Sequence, residues 1–313
     1  MALEVKELVK KYGEKIVVDK LSFNMEGPGV YALLGTNGAG KTTTMRMLLG
    51  ILSKDGGEII WNGNKSGLKD VRLSYLAEER GLYPKSTIYD QMMYFSKLKG
   101  IEVSEAKERI KEWSKKLDIM EYMYPKNAQG KSIAAKKADE LSKGNQQKVQ
   151  LMAALISNPE FLILDEPLSG LDPINTELFK DVIKEQIKAE KYIILSSHQM
   201  STVEEFCTNL TLLNRGKTVL QGNLDDIKKE YGRVNLLIKT EENIDDIIGN
   251  YKLKINNRVG NEYSIRLSNT EDGKSILGDL VGASKTIVKY ELREPSLHEI
   301  FIDKVGKESE DEK

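Results

Sequence analysis

Apolar and polar positions alternate with one period in some stretches of this chain and with another in others, and each change marks an element. Residues 3–9 and 15–23 alternate (Leu3, Val5, then Ile16, Val18, Leu21, Phe23), as half-buried strands do, and Lys11-Tyr12-Gly13-Glu14-Lys15 between them reads as a hairpin turn. Val30 to Leu34 is an unbroken apolar run, then come glycines and a helical pattern (Met45, Leu48, Leu49). Glu58 to Trp61, bracketed by Gly56-Gly57 and Asn62-Gly63, and Val71 to Leu76 read as further strands. At residue 87 the period becomes helical: Thr87 to Asp90 is a capping start, with Ile88, Met92, Phe95 and Leu98 on one face. Ser104 is placed as the cap of a second helix, with Ile110, Trp113 and Leu117 inward.

Residues 122–140 are polar and loop-like; their lysines read as a solvated face. Ser142 caps a helix whose buried stripe is Val149, Met152, Ala153 and Ile156 and which stops at Asn158-Pro159. Phe161 to Leu164 and Tyr192 to Leu195 are continuous apolar strands, the pattern of a parallel sheet covered on both faces. Asp172-Pro173 opens another helix, and Thr208 to Leu213 and Lys217 to Leu220 form a hairpin around Arg215-Gly216. From about residue 231 the strands alternate instead: Val234/Leu236/Ile238, Tyr251/Leu253/Ile255 and Tyr263/Ile265/Leu267, then Thr286 to Leu292. Helical stretches lie near 242–249 and 273–281, and a short helix runs from Ser296 to Asp303. The order β-α-β-β-α-β suggests a small ferredoxin-like α+β domain over residues 231–305, and residues 306–313 are a charged tail.

Composition narrows this picture. The 313 residues carry 47 basic and 48 acidic side chains, a net charge of −1, so nothing pulls the whole chain toward nucleic acid. Cys207 is the single cysteine, which excludes an internal disulfide and suits a reducing compartment. No apolar run approaches the roughly 20 residues that span a bilayer, so for work at a membrane another chain would supply the span.

The candidate chemistry sits where apolar segments end. Gly35-Thr36-Asn37-Gly38-Ala39-Gly40-Lys41-Thr42 fits G-x-x-x-x-G-K-[ST], between a strand and a helix as that motif requires. Successive backbone N–H groups and the helix N-terminus favour a polyphosphate there; Lys41 would reach its outer phosphates and Thr42 would ligate Mg²⁺. Glu78, Asp165/Glu166 and His198 follow other strands, and in a doubly wound sheet those ends converge. Asp165 would hold Mg²⁺ directly or through water, Glu166 orient or deprotonate a water, and His198 hydrogen-bond that water or the terminal phosphate. Tyr12 reads equally well as an edge packing residue or as a ring that stacks on a base.

These residues carry a resemblance. Leu141-Ser142-Lys143-Gly144-Asn145 resembles the LSGGQ signature of ABC transporter ATP-binding subunits. Phe161 to Pro167 resembles their Walker B strand and catalytic glutamate, Ser169-Gly170-Leu171-Asp172 their D-loop, and Ser197-His198 their switch histidine. The motifs fall in the family's order over residues 1–225, and the N-K-x-D of a GTPase is absent. The resemblance implies an α/β P-loop NTPase core over residues 1–230 with a helical subdomain at about 82–155. It implies ATP and Mg²⁺ as cofactors, Thr43 among the nucleotide-binding residues, Tyr12 as the adenine-stacking ring, and Glu166 and His198 as the catalytic pair. It also implies a head-to-tail homodimer in which Ser142 and Gly144 meet the γ-phosphate bound by the partner's P-loop. A separately encoded permease would hold the subunit on the cytoplasmic face of the membrane.

Three positions depart from the family pattern. Glu78 stands where a glutamine is usual, and Lys143 and Asn145 replace a glycine and a glutamine. With Glu-Glu-Arg-Gly-Leu-Tyr at 78–83 and the ending Glu294-Pro295-Ser296-Leu297-His298-Glu299-Ile300-Phe301, they resemble the branch that includes Nat-type sodium exporters. His298 reads as structural there. That branch exports sodium, drugs or peptides, so the expected activity is ATP hydrolysis that drives export, against the alternative of an ATP-dependent clamp or regulator outside transport. Translation factors of the family usually carry two ATPase domains and its DNA-repair members long coiled coils; this chain has one P-loop and about 100 residues between Lys41 and Ser142.

Overall fold

The computed structural model describes residues 2–79, 81–232, 234–302 and 304; Arg80 and the charged tail lie outside the described residues. The chain divides between Gln221 and Gly222 into two compact units.

The first unit is built on two sheets. Strands β1 (Leu3–Tyr12), β2 (Lys15–Met25) and β4 (Gly56–Trp61) form an antiparallel sheet in the order β2-β1-β4. Strands β3 (Gly29–Gly35), β5 (Leu73–Leu76), β6 (Phe161–Asp165), β7 (Tyr192–Ser197), β8 (Asn209–Asn214) and β9 (Lys217–Asn223) form the larger one, in the order β5-β6-β7-β3-β8-β9. β5, β6, β7, β3 and β8 are parallel, and β9 returns from β8 through the Arg215-Gly216 turn. Every residue of β6 is buried, as its unbroken Phe-Leu-Ile-Leu run requires of a strand covered on both faces. Phe161 joins the two sheets: its ring lies 5.5 Å from Trp61 and 6.0 Å from Tyr192. Burying such a ring contributes about 2–3 kcal/mol.

Helices α1 (Lys41–Leu48), α5 (Lys143–Leu155), α6 (Pro173–Lys188) and α7 (Met200–Phe206) accompany the parallel sheet, while α2 (Ile88–Leu98), α3 (Val103–Lys116) and α4 (Met120–Met123) pack among themselves and, through α2 and α3, against α5. The caps follow the sequence: the side chains of Thr87, Ser142 and Asp172 accept from the backbone N–H groups of Asp90, Asn145 and Asn175. Three details differ from expectation. Leu98 is 65% exposed, because it lies ten residues after Ile88 and so about 80° around the helix from it. Ser104 is not a cap: α3 starts at Val103 with Glu102 as its N-cap. Ser114, not Trp113, is buried on that helix, and it satisfies its hydroxyl by donating to the Ile110 carbonyl at 2.5 Å.

The second unit opens with α8 (Leu224–Tyr231), ahead of the change of pattern near residue 231. Strands β10 (Asn235–Thr240), β11 (Lys254–Val259), β12 (Glu262–Arg266) and β13 (Ile287–Arg293) form an antiparallel sheet in the order β11-β12-β10-β13, with α9 (Asp245–Gly249) and α10 (Thr270–Gly282) as the crossovers. This is the ferredoxin-like topology. Leu236, Ile238, Tyr263, Ile265, Ile276 and Leu280 form its core. The second strand begins at Lys254 rather than Tyr251, since Tyr251 and Leu253 pack on that core from the connection that precedes it. The helix after Pro295 starts with a reciprocal cap between Ser296 and Glu299, buries Leu297 and Ile300, and leaves His298 exposed.

Candidate nucleotide site

The turn from β3 into α1 demands glycine. Gly35, Gly38 and Gly40 have φ of 156°, 80° and 105°, values that side-chain-bearing residues rarely adopt. At Gly40 a Cβ would also stand 2.7 Å from the Val17 carbonyl oxygen, and at Gly35 one would stand 2.4 Å from the Leu213 carbonyl oxygen. The loop therefore lies pressed on β2 and β8. Above it is a cavity of about 200 Å³ lined by Val17, residues 37–43, Glu78 and Glu166.

Lys41 is buried, and its ammonium donates to the carbonyl oxygens of Gly35 at 2.7 Å and Thr36 at 3.3 Å. It also stands 3.4 Å from Glu166 Oε1, within ion-pairing distance but not in hydrogen-bond geometry, so that Oε1 is a buried oxygen with no hydrogen-bond partner. The other Glu166 oxygen, Oε2, is 2.8 Å from His198 Nδ1. Glu166 itself has φ of 49°, a left-handed conformation unusual for a glutamate, held by the bond from its N–H to Ser196 Oγ at 3.0 Å and from Ser169 N–H to its carbonyl at 3.1 Å.

Asp165 lies behind this pocket and does not line it. Ser196 Oγ donates to its Oδ1 at 2.5 Å and the Tyr75 hydroxyl to its Oδ2 at 3.2 Å. Burial, and then the Asp165 charge, push the Tyr75 phenol up to about 12, so it stays a donor at neutral pH.

The structure thus brings together Gly35, Thr36, Asn37, Gly38, Ala39, Gly40, Lys41, Thr42, Thr43, Glu78, Asp165, Glu166 and His198. It leaves Ser142, Gly144 and Tyr12 outside the cavity. Ser142 is exposed at the start of α5, and a Cβ at Gly144 would meet Asn175 of α6 at 2.9 Å. Tyr12 is exposed at the end of β1, opposite Lys15 of β2, with the Lys10 ammonium 5.6 Å from its ring. Sequence reasoning missed Val17, Tyr75 and Ser196.

The donors fit a cation that arrives with a polyphosphate. The Thr42 hydroxyl and Glu78 carboxylate line one cavity, Asp165 stands one layer behind, and among the described residues no three His, Cys, Asp or Glu side chains form a metal cage. Mg²⁺ takes few protein oxygens and completes its shell with phosphate and water. A glycine loop on a helix N-terminus, a lysine inside it and carboxylates on neighbouring strand ends define a P-loop nucleoside triphosphatase.

The chain belongs to the ABC transporter ATP-binding proteins: it is an ATP-binding subunit and an ATPase. Residues 18–169 match the ABC transporter family model, and residues 222–305 match the C-terminal domain of DrrA1-3-like ATP-binding proteins. The chain is 40% identical to the uncharacterized ABC transporter ATP-binding protein YhaQ of Bacillus subtilis over 97% of its own length and 98% of that protein. It is 27% identical to the linearmycin resistance ATP-binding protein LnrL of Bacillus subtilis (97% and 98% covered) and 32% identical to the Nod factor export ATP-binding protein I of Paraburkholderia xenovorans (71% and 70%). A solved structure of the ATP-binding subunit of an ABC transporter matches with a TM-score of 0.64 at 28% identity, covering 74% of this chain and 94% of that one. Among the described residues no helix is long and apolar enough to cross a membrane.

Proposed function

We propose that this subunit hydrolyses Mg-ATP to drive export through a separate membrane permease, working as a head-to-tail homodimer at the cytoplasmic face. The observation that carries the reading is the buried Lys41–Glu166 pair facing one cavity with Glu78, with the more exposed His198 on the other Glu166 oxygen. Lys41 binds the β- and γ-phosphates. Glu166 takes the proton of the attacking water, and His198, bonded to its Oε2, holds that carboxylate in place. Bound Mg²⁺ neutralises charge on the phosphates; Thr42 and Glu78 are the side chains that would hold it, with Asp165 acting through water. Ser142 and Gly144 lie outside the cavity on an exposed helix start, as suits donors for a second copy's γ-phosphate. Linearmycin resistance and Nod factor export, in the names of two relatives, support export.

An apolar groove of about 250 Å³, lined by Leu76, Ala77, Leu82, Phe95, Leu98 and Ala153 among others, supports permease docking on the helices of residues 82–155. Glu166→Gln should bind ATP, fail to hydrolyse it and elute as a dimer with ATP in size-exclusion chromatography. Turnover at the parent rate would remove Glu166 as the base, and a monomer with ATP bound would remove the dimer. Co-purification from membranes in mild detergent tests the permease: ribosomal or DNA-bound partners, with no membrane protein, would refute transport.

A further inference from the structure

Tyr75 belongs to none of the motifs that define the site, yet its side chain reaches Asp165 from the neighbouring strand. Its ring packs against the core that holds Met45 of α1 and Phe161 and Ile163 of β6. Its hydroxyl donates to Asp165 Oδ2 at 3.2 Å. The bonds continue beyond the carboxylate: Asp165 Oδ1 accepts from Ser196, which in turn accepts from the Glu166 N–H.

We propose that Tyr75 is a positioning residue: its hydroxyl fixes the carboxylate of Asp165 in the orientation in which it meets a metal-bound water, and its ring, packed against the core, holds that hydroxyl in place. This rests on the reading of Asp165 as a carboxylate on the Mg²⁺ side of the nucleotide. The physical reason is that Asp165 is 1% exposed, so its rotamer is set by its donors and not by solvent. Ser196 anchors one oxygen and Tyr75 the other. With one anchor removed the carboxylate is free to turn about the remaining bond. The side chain suits the task, since its rigid ring has only two torsions to fix and is held by the core.

Tyr75→Phe keeps the ring and removes the hydroxyl. The experiment measures binding of a fluorescent N-methylanthraniloyl ATP, in EDTA and across a Mg²⁺ titration, in a Glu166→Gln background that does not turn over. Thermal unfolding first establishes that each variant is folded. The expected result is unchanged binding in EDTA, within about twofold, and a half-saturating Mg²⁺ concentration raised about tenfold or more, the loss of one hydrogen bond to a charged group. An unchanged Mg²⁺ midpoint overturns the proposal, whatever happens to the melting temperature. Equal losses with and without Mg²⁺ overturn it too, because they would mean that the hydroxyl supports nucleotide binding by a route that does not involve the metal. Asp165→Asn in the same assay separates the two levels. If it leaves the Mg²⁺ midpoint unmoved, the underlying reading of Asp165 fails; if it moves the midpoint and Tyr75→Phe does not, only the role of Tyr75 fails.

Discussion

Lys41 and Glu166 are each 6% exposed and stand 3.4 Å apart, and their coupling can be measured without nucleotide. At an effective dielectric constant near 20, two unit charges at that distance attract by about 5 kcal/mol before desolvation is subtracted. The net is smaller, because each has a second partner: Lys41 has the Gly35 and Thr36 carbonyls, Glu166 has His198. A coupling of about 1–3 kcal/mol remains as the expectation. Lys41→Met keeps the stem of the side chain and deletes the charge. It strands a buried carboxylate and should cost about 2–3 kcal/mol, the lower end for breaking a buried pair, since His198 still serves Oε2. Glu166→Gln should cost about 1 kcal/mol. The double variant should lose at least about 1 kcal/mol less than the sum of the two.

Urea unfolding followed by tryptophan fluorescence suits this cycle, because both tryptophans, Trp61 and Trp113, lie in the unit that holds the site. Additivity of the two single changes to within about 0.5 kcal/mol would refute the pair. The same cycle has a consequence for ligand. A γ-phosphate must draw Lys41 from Glu166, so Glu166→Gln should bind ATP more tightly, by up to about tenfold for 1.4 kcal/mol of released coupling.

The glycines separate two costs. Gly38→Ala, at φ 80° with no atom within 4 Å of the new Cβ, should cost only the backbone penalty of about 1–2 kcal/mol. Gly40→Ala adds a Cβ 2.7 Å from the Val17 carbonyl and should cost about 3 kcal/mol or more and abolish ATP binding; equal melting temperatures for the two variants would contradict the geometry. Tyr31, buried beside Thr211 Oγ1 at 2.7 Å, has its phenol raised by burial from 10.0 to about 12. Its neutral form is the folded one, so stability holds below pH 10 and falls as pH rises to about 12, by roughly 2–3 kcal/mol over that interval. Tyr31→Phe should flatten the alkaline limb of a pH–stability curve, and an unchanged slope there would show that this phenol does not titrate with unfolding.

The cavity was legible in the sequence where a residue's job is local. Gly38 and Gly40 announce a backbone conformation, and Lys41 follows at the one spacing that returns its ammonium to the loop. Ser142 and Asp172 announce helix starts in the same way. Tyr75 and Ser196 were not legible, because their job depends on strand order. The sheet runs β5-β6-β7, which sets the ends of segments near 75, 165 and 196 side by side, with Asp165 directly opposite Ser196. No periodicity reports that neighbourhood. Leu98 failed for a geometric reason, since a stripe read over ten residues turns away from its origin at 100° per residue. In the second unit, alternation located the strands and their order implied the sheet, but Tyr251 and Leu253 reach the core from a connection and so mimic a strand.

The two buried carboxylates of the site, Asp165 and Glu166, find most of their partners within the protein. Asp165 has a donor on each oxygen, and Glu166 has His198 on one. The remaining Glu166 oxygen faces a cation that is itself engaged by two carbonyls. On the roles proposed above, this arrangement holds the base and the phosphate-binding lysine against each other, and each is poorly placed for its own task while the pair lasts. A polyphosphate offers Lys41 stronger, charged acceptors than the Gly35 and Thr36 carbonyls, so binding breaks the pair from the lysine side. Glu166 is then left a buried carboxylate with one oxygen free to accept from a water. On the roles proposed above, this makes the Lys41–Glu166 distance the coordinate along which the site becomes competent.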